Sequence, residues 1–502
     1  MNCMTLKNIL SFLFLFSFAL PVSSCSSDDP NEPGKPTPPS TAFTMPEREM
    51  RAVWVATVDN MDWPKNKYDA KAQKDEYIKY LDLFEQYNIN TVIMQVRPMA
   101  DAFYKSTLEP WSQYITGTQG KDPGYDVLKF LIDETHKRGI EFHAWLNPYR
   151  ISNNADTFKP APGHIYTKHP EWTMRYNRLL IFRPALPEVR QFLVDVIDEL
   201  ITKYDVDGIH FDDYFYPYPQ KGVILDDQED FAKNGSDYDN IDDFRRGNVN
   251  KAIEAIHNLI VQKRPDIIFS ISPYGVWRNK SKDPLRGSYS STSITNYDDL
   301  YADVLLWCKN GWVDLVVPQL YASTENIAMN FTKMSAWWSK SVGQCPLAIG
   351  YGVYKFGNPA EGAIYVNDPK ELETEFFFAR RHKAVIGSFI FNASVFKNNK
   401  INILSNLSNV YPEKALVPFM GRKTCAAPSR IDKITVSGKT ITWNGQDSNY
   451  RYVIYEIANG KAKIVDIVSN ASYNCIKTGT YAVSTLNKDN IESELSQHVN
   501  IN

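Results

Sequence analysis

A short, mostly apolar stretch with the sequence VDGIHFDDY occupies residues 206–214. Two acids, Asp212 and Asp213, lie near its end, and the aromatic segment YFYPYP follows them at residues 214–219. Apolar runs of this length are typical of buried β-strands. The stretch is therefore predicted to be a strand that ends in two carboxyl groups.

Seven other runs in the chain share this apolar, β-branched character. Together the eight runs span residues 50–58, 91–98, 141–149, 206–214, 267–274, 313–321, 346–351 and 385–392. Stretches with helical spacing lie between them, at residues 74–87, 125–138, 187–204, 241–264 and 370–382. This alternation predicts an α/β fold, a (β/α)8 TIM barrel. An open doubly wound sheet is the alternative. Such a sheet is expected to have a glycine-rich phosphate loop after an early strand, and the sequence has none.

The pattern changes after Pro412. Short alternating strands are predicted at residues 431–436, 440–443, 450–457, 463–468 and 480–486. We interpret residues 47–418 as the barrel and residues 426–502 as a small all-β, immunoglobulin-like sandwich. Trp443, Tyr481 and the closing segment at 490–493 resemble a fibronectin type III module. Such modules are usually spacers, and glycan binding is the alternative role.

The amino terminus has the features of a lipoprotein signal. Lys7 precedes an apolar run at residues 9–20, and Val22-Ser23-Ser24-Cys25 follows. We expect a signal peptide at 1–24, lipidation of Cys25 and a tether over 25–46, because the apolar run is shorter than the roughly 20 residues that a transmembrane helix needs. The expected location is the cell envelope, as an outer-membrane lipoprotein facing the periplasm or the surface, with the lipid as the only membrane contact. The acidic SSDD after Cys25 resembles a surface-export tag.

Composition excludes some classes of partner. The 502 residues are 43% hydrophobic and carry a formal charge of −3, so the concentrated basic charge of nucleic-acid binding is missing and no nucleic acid is expected as a partner. No His, Asp or Glu cluster has metal-ligand spacing, and neither a metal nor a cofactor is expected. Beyond Cys3 and Cys25, four cysteines remain, Cys308, Cys345, Cys425 and Cys475, and we expect mostly buried thiols.

Alternation along the strands predicts which side chains face the barrel interior. Ile209 and Phe211 suit the helix layer, which turns His210, Asp212 and Tyr214 inward and Asp213 toward the loops. The same rule, with the adjacent Arg150, gives the remaining candidate substrate-binding residues: Gln95, Arg97, Asn147, Tyr149, Tyr274, Gln319, Tyr321 and Tyr351. Some inward polar groups, Ser272, His143 and His210 among them, could simply plug the barrel. A whole ring of polar groups at the strand ends nevertheless indicates a site for a polar ligand.

Asp212 and Asp213 are the candidate catalytic residues. Mutual repulsion and a nearby arginine, Arg97 or Arg150, would separate their protonation, so that one stays ionised while the other serves as an acid. Glycosidic cleavage normally needs two carboxyl groups. No acid has inward parity on strands five to eight, so the second group is Asp213, the substrate itself, or one of four loop acids: Asp59, Asp101, Glu325 or Glu361.

Four ordered motifs resemble glycosyl hydrolase-like family 10 (DUF187-type). They are EMRAVWVAT at 49–57, QVRP at 95–98, AWLNPYR at 144–150 and DGIHFDDYFYP at 207–217. The resemblance implies a barrel hydrolase of the bacterial envelope that acts on peptidoglycan glycan strands stripped of stem peptides. It also places Asp212 and Asp213 on the family's acidic motif, and five residues on its strand-end positions: Arg97, Asn147, Tyr149, Gln319 and Tyr321.

The fourth run is also distantly similar to the chitinase-type pattern Asp-Gly-x-Asp-x-Asp-x-Glu. It departs from that pattern at His210 and Tyr214, which puts a chitinase assignment in doubt. The expected function is hydrolysis of a β-linked amino-sugar glycan with a strand-four Asp as general acid. The alternatives are a catalytically silent glycan-binding lipoprotein, and a hydrolase for another polysaccharide in an outer-surface glycan uptake system.

Overall fold

A closed barrel of parallel strands forms the centre of the computed structural model, which describes residues 44–420, 426–447 and 449–502. Met50 of the first strand pairs with Gly387 of the last, which closes the ring. The barrel strands span Met50–Val55, Thr91–Arg97, Glu141–Leu146, Gly208–Phe211, Ile268–Ile271, Leu315–Val316, Leu347–Tyr351 and Val385–Ile390. The predicted eight-stranded barrel is confirmed.

Helices cover the outside of the barrel. The first begins after Asp69, whose side chain accepts hydrogen bonds from the amides of Lys71 and Ala72, and it buries Tyr77 and Phe84. The α-helices span Ala70–Gln86, Gln113–Thr116, Val127–His136, Ile165–Lys168, Pro187–Lys203, Gln228–Asn234, Ile241–Lys263, Val304–Asn310, Phe331–Ser341, Ala363–Asn367, Glu371–Arg380, Val395–Asn398 and Ile403–Val410. Short 3-10 turns span Val58–Asn60, Pro170–Trp172, Val353–Lys355, Pro359–Glu361 and Lys400–Asn402.

An antiparallel sheet follows the third barrel strand and was not predicted from the sequence. Its strands span Arg150–Ser152, Thr173–Tyr176 and Leu179–Phe182. Because Arg150 begins the first of these strands, the sheet fixes the backbone of a residue at the end of the barrel. The strands escaped the sequence analysis because they are only three or four residues long.

Two antiparallel sheets form the carboxyl-terminal sandwich. One contains Ile434–Ser437, Thr440–Trp443 and Ser472–Asn474, and the other contains Lys461–Val468, Arg451–Ala458, Gly479–Leu486 and Val499–Ile501. Their shared core includes Trp443, Ile454 and Val483. Two short strands, Ser472–Asn474 and Val499–Ile501, are additional to the five predicted.

The sandwich docks on the base of the barrel, where the strands begin. Asn490 donates to Glu141 Oε1 at 2.6 Å, and Lys488 Nζ lies 2.7 Å from Asp205 Oδ1. Arg451 donates to the carbonyl of Gly139 at 3.0 Å. These barrel residues precede or begin strands three and four, so the sandwich lies at the end opposite the carboxyl ends of the strands.

Bulky aromatic side chains fill the barrel interior. Trp54, Trp145 and Phe389 belong to an inner apolar cluster that is separate from the larger core between strands and helices. His210 lies among them, and its ring centroid is 5.9 Å from that of Trp54. The interior is therefore a packed floor rather than a channel, and any site must lie above it at the strand ends.

The predicted signal peptide (1–24), Cys25 and most of the predicted tether lie outside the described residues, as does Cys425. Within the described ranges, no helix is both long and apolar enough to cross a membrane. Cys345 and Cys475 are buried free thiols, and Cys308 is half-buried and also free.

Candidate active site

A cavity of about 600 Å³ opens at the carboxyl ends of the barrel strands. Asp212 and Asp213 lie in its wall with 4% and 3% of their surface exposed. Its other lining side chains include Trp54, Gln95, Trp145, Arg150, Tyr214, Tyr218, Gln319, Tyr321, Phe391, Asn392 and Lys400. A concave, largely apolar wall with a few convergent polar groups is typical of a small-ligand or sugar site.

The fourth strand brings its two acids to the cavity. Ile209 and Phe211 pack in the outer core, so His210 and Asp212 face inward as parity predicts. Asp213 was expected on the loop side, but it lines the cavity. The reason is that the strand ends at Phe211, and the backbone no longer alternates beyond that point.

A chain of hydrogen bonds orients the Asp212 carboxyl group. The amides of Thr57 and Val58 each donate to Gln95 Oε1 at 2.9 Å, and Gln95 Nε2 donates to Asn147 Oδ1 at 2.6 Å. Asn147 Nδ2 in turn donates to Asp212 Oδ2. Backbone donors at one end of the chain fix the direction of each amide, and therefore of the bond that reaches the acid.

Asp212 Oδ2 also accepts a hydrogen bond from Trp145 Nε1 at 3.1 Å, whereas Oδ1 accepts from the amide of Tyr214 at 3.3 Å. Oδ2 thus has two side-chain donors and Oδ1 has one long backbone bond. A proton on this carboxyl group is therefore placed best on Oδ1.

Burial and mutual repulsion separate the protonation of the two acids. Burial, followed by the charge of Asp213, raises the pKa of Asp212 to about 7, although Arg150 opposes the rise. Burial also raises the pKa of Asp213, but hydrogen bonds from Tyr218 and Gln319 stabilise its charged form. Because the two carboxyl groups repel each other, the pair is arranged to carry one proton near neutral pH, and the hydrogen bonds that Asp213 accepts favour placing that proton on Asp212.

Aromatic side chains surround the acids. The Arg150 guanidinium lies 4.2 Å from the centre of the Tyr214 ring, and Tyr214 is 41% exposed. Tyr321, which also lines the cavity, stacks on Phe391 with ring centroids 5.7 Å apart. Flat apolar faces beside carboxyl groups suit the faces of sugar rings.

The structure brings five of the predicted substrate-binding residues to the cavity: Gln95, Arg150, Tyr214, Gln319 and Tyr321. Asn147 lies behind the wall and contacts Asp212. Tyr274 is half-buried, with its ring 6.3 Å from that of Tyr218, a cavity residue.

His210 lies in the floor, where Trp54 Nε1 donates to its Nε2 at 3.1 Å and its Nδ1 bonds Ser270 at 2.8 Å. Burial lowers the pKa of His210 well below its usual value, so it is a neutral floor residue.

Three predicted residues lie away from the cavity. Arg97 is completely buried and pairs with Glu109 at 2.6 Å, because a register shift between Gln95 and Arg97 breaks the alternation at the end of strand two. Tyr149 packs in the outer core, beyond the end of strand three.

Tyr351 also faces outward, and its ring stacks on Phe376 at 4.2 Å. The inward positions of strand seven are Ala348 and Gly350, because Trp54 occupies the space there: a Cβ on Gly350 would lie 3.1 Å from the Trp54 ring. The inward assignment of Tyr351 was wrong.

Several cavity residues were missed by the sequence analysis. Trp54 and Trp145 were predictable, since parity on strands one and three turns them inward. Tyr218 lies in the aromatic segment after the acids. Phe391 and Asn392 follow strand eight, and no local signal marks them.

The four loop acids proposed as a second carboxyl group do not line the cavity. Asp59 accepts a hydrogen bond from Tyr114 at 3.0 Å, and Glu361 pairs with Lys355 at 2.8 Å. Asp101 is buried elsewhere, and Glu325 also lies outside the wall. Among the described residues, no group of three or more His, Cys, Asp or Glu side chains is arranged to hold a metal ion.

The chain is similar to one known family over most of its barrel. A family model described as Glycosyl hydrolase-like 10 matches residues 49–364, which include both acids. The chain belongs to this family. Glycosyl hydrolase YngK of Bacillus subtilis (strain 168) is 42% identical, over 84% of this chain and 85% of YngK. Glycosyl hydrolase DigH of Escherichia coli (strain K12) is 35% identical, over 69% of this chain and 83% of DigH.

Among solved structures, the glycoside hydrolase domain of PgaB (BpsB) from Bordetella bronchiseptica is similar to this glycosyl hydrolase-like 10 chain. The two are 12% identical with a TM-score of 0.48, and the match covers 72% of this chain and 98% of that domain. The eighth barrel strand and the segment after it lie beyond the residues matched by the family model.

Proposed function

We propose that this protein is a glycoside hydrolase of the bacterial envelope that cleaves a β-linked amino-sugar glycan, in particular peptidoglycan glycan strands that lack stem peptides. The observation that carries the proposal is the pair of buried carboxyl groups in the cavity wall, with the pKa of Asp212 raised to about 7. A carboxyl group that keeps its proton near neutral pH is what a leaving sugar oxygen requires. Membership of a hydrolase-like family and two relatives named glycosyl hydrolases support the same class of reaction.

In the proposed reaction Asp212 is the general acid. It gives its proton to the glycosidic oxygen as the bond from that oxygen to the anomeric carbon breaks. The negative charge of Asp213, held by Tyr218 and Gln319, stabilises the positive charge that develops on the sugar. Water then adds to the anomeric carbon and returns a proton to Asp212, which restores the starting state.

The second catalytic group is either Asp213 or the substrate's own N-acetyl oxygen. The two acids are consecutive, and they are the only acids among the described residues of the cavity wall. Attack by the N-acetyl oxygen is a recognised exception to the two-carboxylate rule. Strands with and without N-acetyl groups separate these routes, because only the Asp213 route retains turnover after deacetylation.

The proposal is tested by the release of reducing ends from purified, peptide-free glycan strands. Chitooligosaccharides and plant or host glycans serve as comparison substrates. We expect release by the wild-type protein and at least a roughly 10²–10⁴-fold loss in Asp212→Asn, the range credited to a positioned acid. Tight binding of the strands by a folded wild-type protein without any release would contradict hydrolysis and support the silent binding protein.

A further inference from the structure

Two cations lie among the described residues of the cavity wall, Arg150 and Lys400. Arg150 already has partners within the protein. Its guanidinium covers the Tyr214 ring at 4.2 Å and interacts with the charges of both Asp212 and Asp213. Lys400 lies in the segment that follows the eighth barrel strand. The two cations therefore serve different parts of the cavity.

Lys400 has no acidic partner among the residues that the structure describes, and its side chain is exposed. Its neighbours differ in this respect. Lys397, three residues earlier, pairs with Glu76 at 3.0 Å, and Lys355 pairs with Glu361 at 2.8 Å. Lys355 and Lys397 do not line the cavity, so the lysine that does is the one left without a counter-charge.

The backbone around Lys400 is strained, which is typical of ligand-contacting segments. Asn399, Ile401 and Asn402 have φ values of 38°, 46° and 57°, and a positive φ is a marked outlier for a β-branched residue such as Ile401. Gly357 packs closely against this turn. A Cβ at position 357 would lie only 2.8 Å from the Lys400 Cβ, so a larger residue would not fit there without a shift. The fold thus holds the turn that carries Lys400 at the cavity rim despite the unfavourable backbone angle of Ile401.

We propose that Lys400 binds a carboxylate of the substrate, and that this contact selects glycans built from acidic sugars. The inference rests on the proposed function and adds the chemistry of the sugar that the rim accepts. Peptide-free muramic acid carries such a carboxylate on its lactyl group, and a hexuronic acid carries one on its ring. Because ionised Asp213 repels anions at the base of the cavity, the rim is where an anionic group is tolerated.

The experiment compares kcat/KM for matched pairs of substrates that differ only in charge. One pair is peptide-free glycan strands and the same strands with their lactyl carboxylates converted to amides. A second pair is an oligosaccharide of alternating hexuronic acid and N-acetylglucosamine and its amidated form. We expect the wild-type protein to prefer the charged member of the first pair about fivefold, as for an exposed ion pair, and to show this preference less at high salt.

Lys400→Gln should reduce that preference to about one, and Lys400→Glu should reverse it. Lys397→Gln removes a nearby paired lysine that does not line the cavity, and it should keep the wild-type preference. Thermal melting of each variant checks that the fold is intact. If only the second pair shows the preference, the carboxylate that Lys400 binds belongs to a hexuronic acid rather than to muramic acid.

An unchanged preference in Lys400→Gln and Lys400→Glu, with normal turnover, would overturn the role of Lys400 while leaving the hydrolase intact. Absence of turnover on every substrate by a folded wild-type protein would instead overturn the proposed function. Binding of charged and amidated strands, measured by calorimetry, then still tests Lys400. Equal affinity for both would overturn its role as well.

Discussion

Replacing Asp212 with Asn should stabilise the fold and remove activity at the same time. Asp212 is 4% exposed, and its pKa is raised from 3.8 to about 7, first by burial and then by Asp213. In the unfolded chain the carboxyl group ionises near its ordinary pKa, whereas in the folded protein it keeps its proton until about pH 7. Between these two values the folded state binds the extra proton, so the stability of the wild-type protein falls as pH rises.

The size of the effect follows from the two pKa values. At 1.36 kcal/mol per pH unit, the interval from 3.8 to about 7 corresponds to about 4 kcal/mol. Asn is neutral at every pH, and its side-chain oxygen still accepts the hydrogen bonds from Trp145 and Asn147. Its NH2 group cannot accept the long hydrogen bond from the Tyr214 amide, so the variant should be at or slightly below wild-type stability near pH 4. Above that pH it should gain stability progressively and exceed the wild-type protein by up to about 4 kcal/mol at pH 8.

The assay is urea unfolding of both proteins at pH 4, 5.5, 7 and 8, together with kcat/KM on peptide-free strands. Asp101→Asn is the matched control. Asp101 is also buried, with its pKa raised to about 6 mainly by burial, but it lies away from the cavity. The Asp101→Asn variant should also become more stable than the wild-type protein as pH rises, and it should keep its activity. If the difference in unfolding free energy between Asp212→Asn and the wild-type protein does not grow with pH, then Asp212 is ionised in the folded protein and cannot be the acid.

Three other perturbations test separate parts of the structure. Tyr218→Phe removes a hydrogen bond to charged Asp213, so the acidic limb of the pH profile of kcat/KM should move up by roughly one to two pH units; an unmoved limb would separate Asp213 from catalysis. Gly208→Ala places a Cβ 2.2 Å from His143 Nδ1 and should lower the unfolding free energy by about 1–3 kcal/mol in a denaturant titration, whereas wild-type stability would show that the strand relaxes freely. Cys25→Ser should give an uncleaved or soluble protein on cell fractionation, and a signal-cleaved variant retained in membranes would refute the lipid anchor.

Strand alternation predicted the inward direction of Asp212 because strand four is regular up to Phe211. The same rule failed for Arg97, where the sheet register shifts by one residue, and register depends on the neighbouring strand rather than on local sequence. It also failed for Tyr351, because the space inside the barrel at strand seven is filled by Trp54 from strand one. The small residues Ala348 and Gly350 alternate with bulky neighbours along strand seven, and this pattern in the sequence already indicates that the small positions face the filled barrel interior.

The wall after strand eight was beyond local prediction. Phe391, Asn392 and Lys400 reach the cavity only because the barrel closes and brings its last strand beside its first. Asp213 also reaches the cavity outside the strand pattern. Periodicity thus predicted the scaffold and the inward position of Asp212, whereas the side chains that shape the cavity around it depend on barrel closure and loop conformation.

The position of the sandwich has a practical consequence for work with long or insoluble polymers. It is attached through Glu141, Asp205 and Gly139, at the base of the barrel. The last described strand, Val499–Ile501, belongs to this module. A bead, a dye or a partner enzyme fused after Asn502 would therefore be joined at the end away from the cavity mouth, and an immobilised preparation should keep its cavity accessible to bulky polymers.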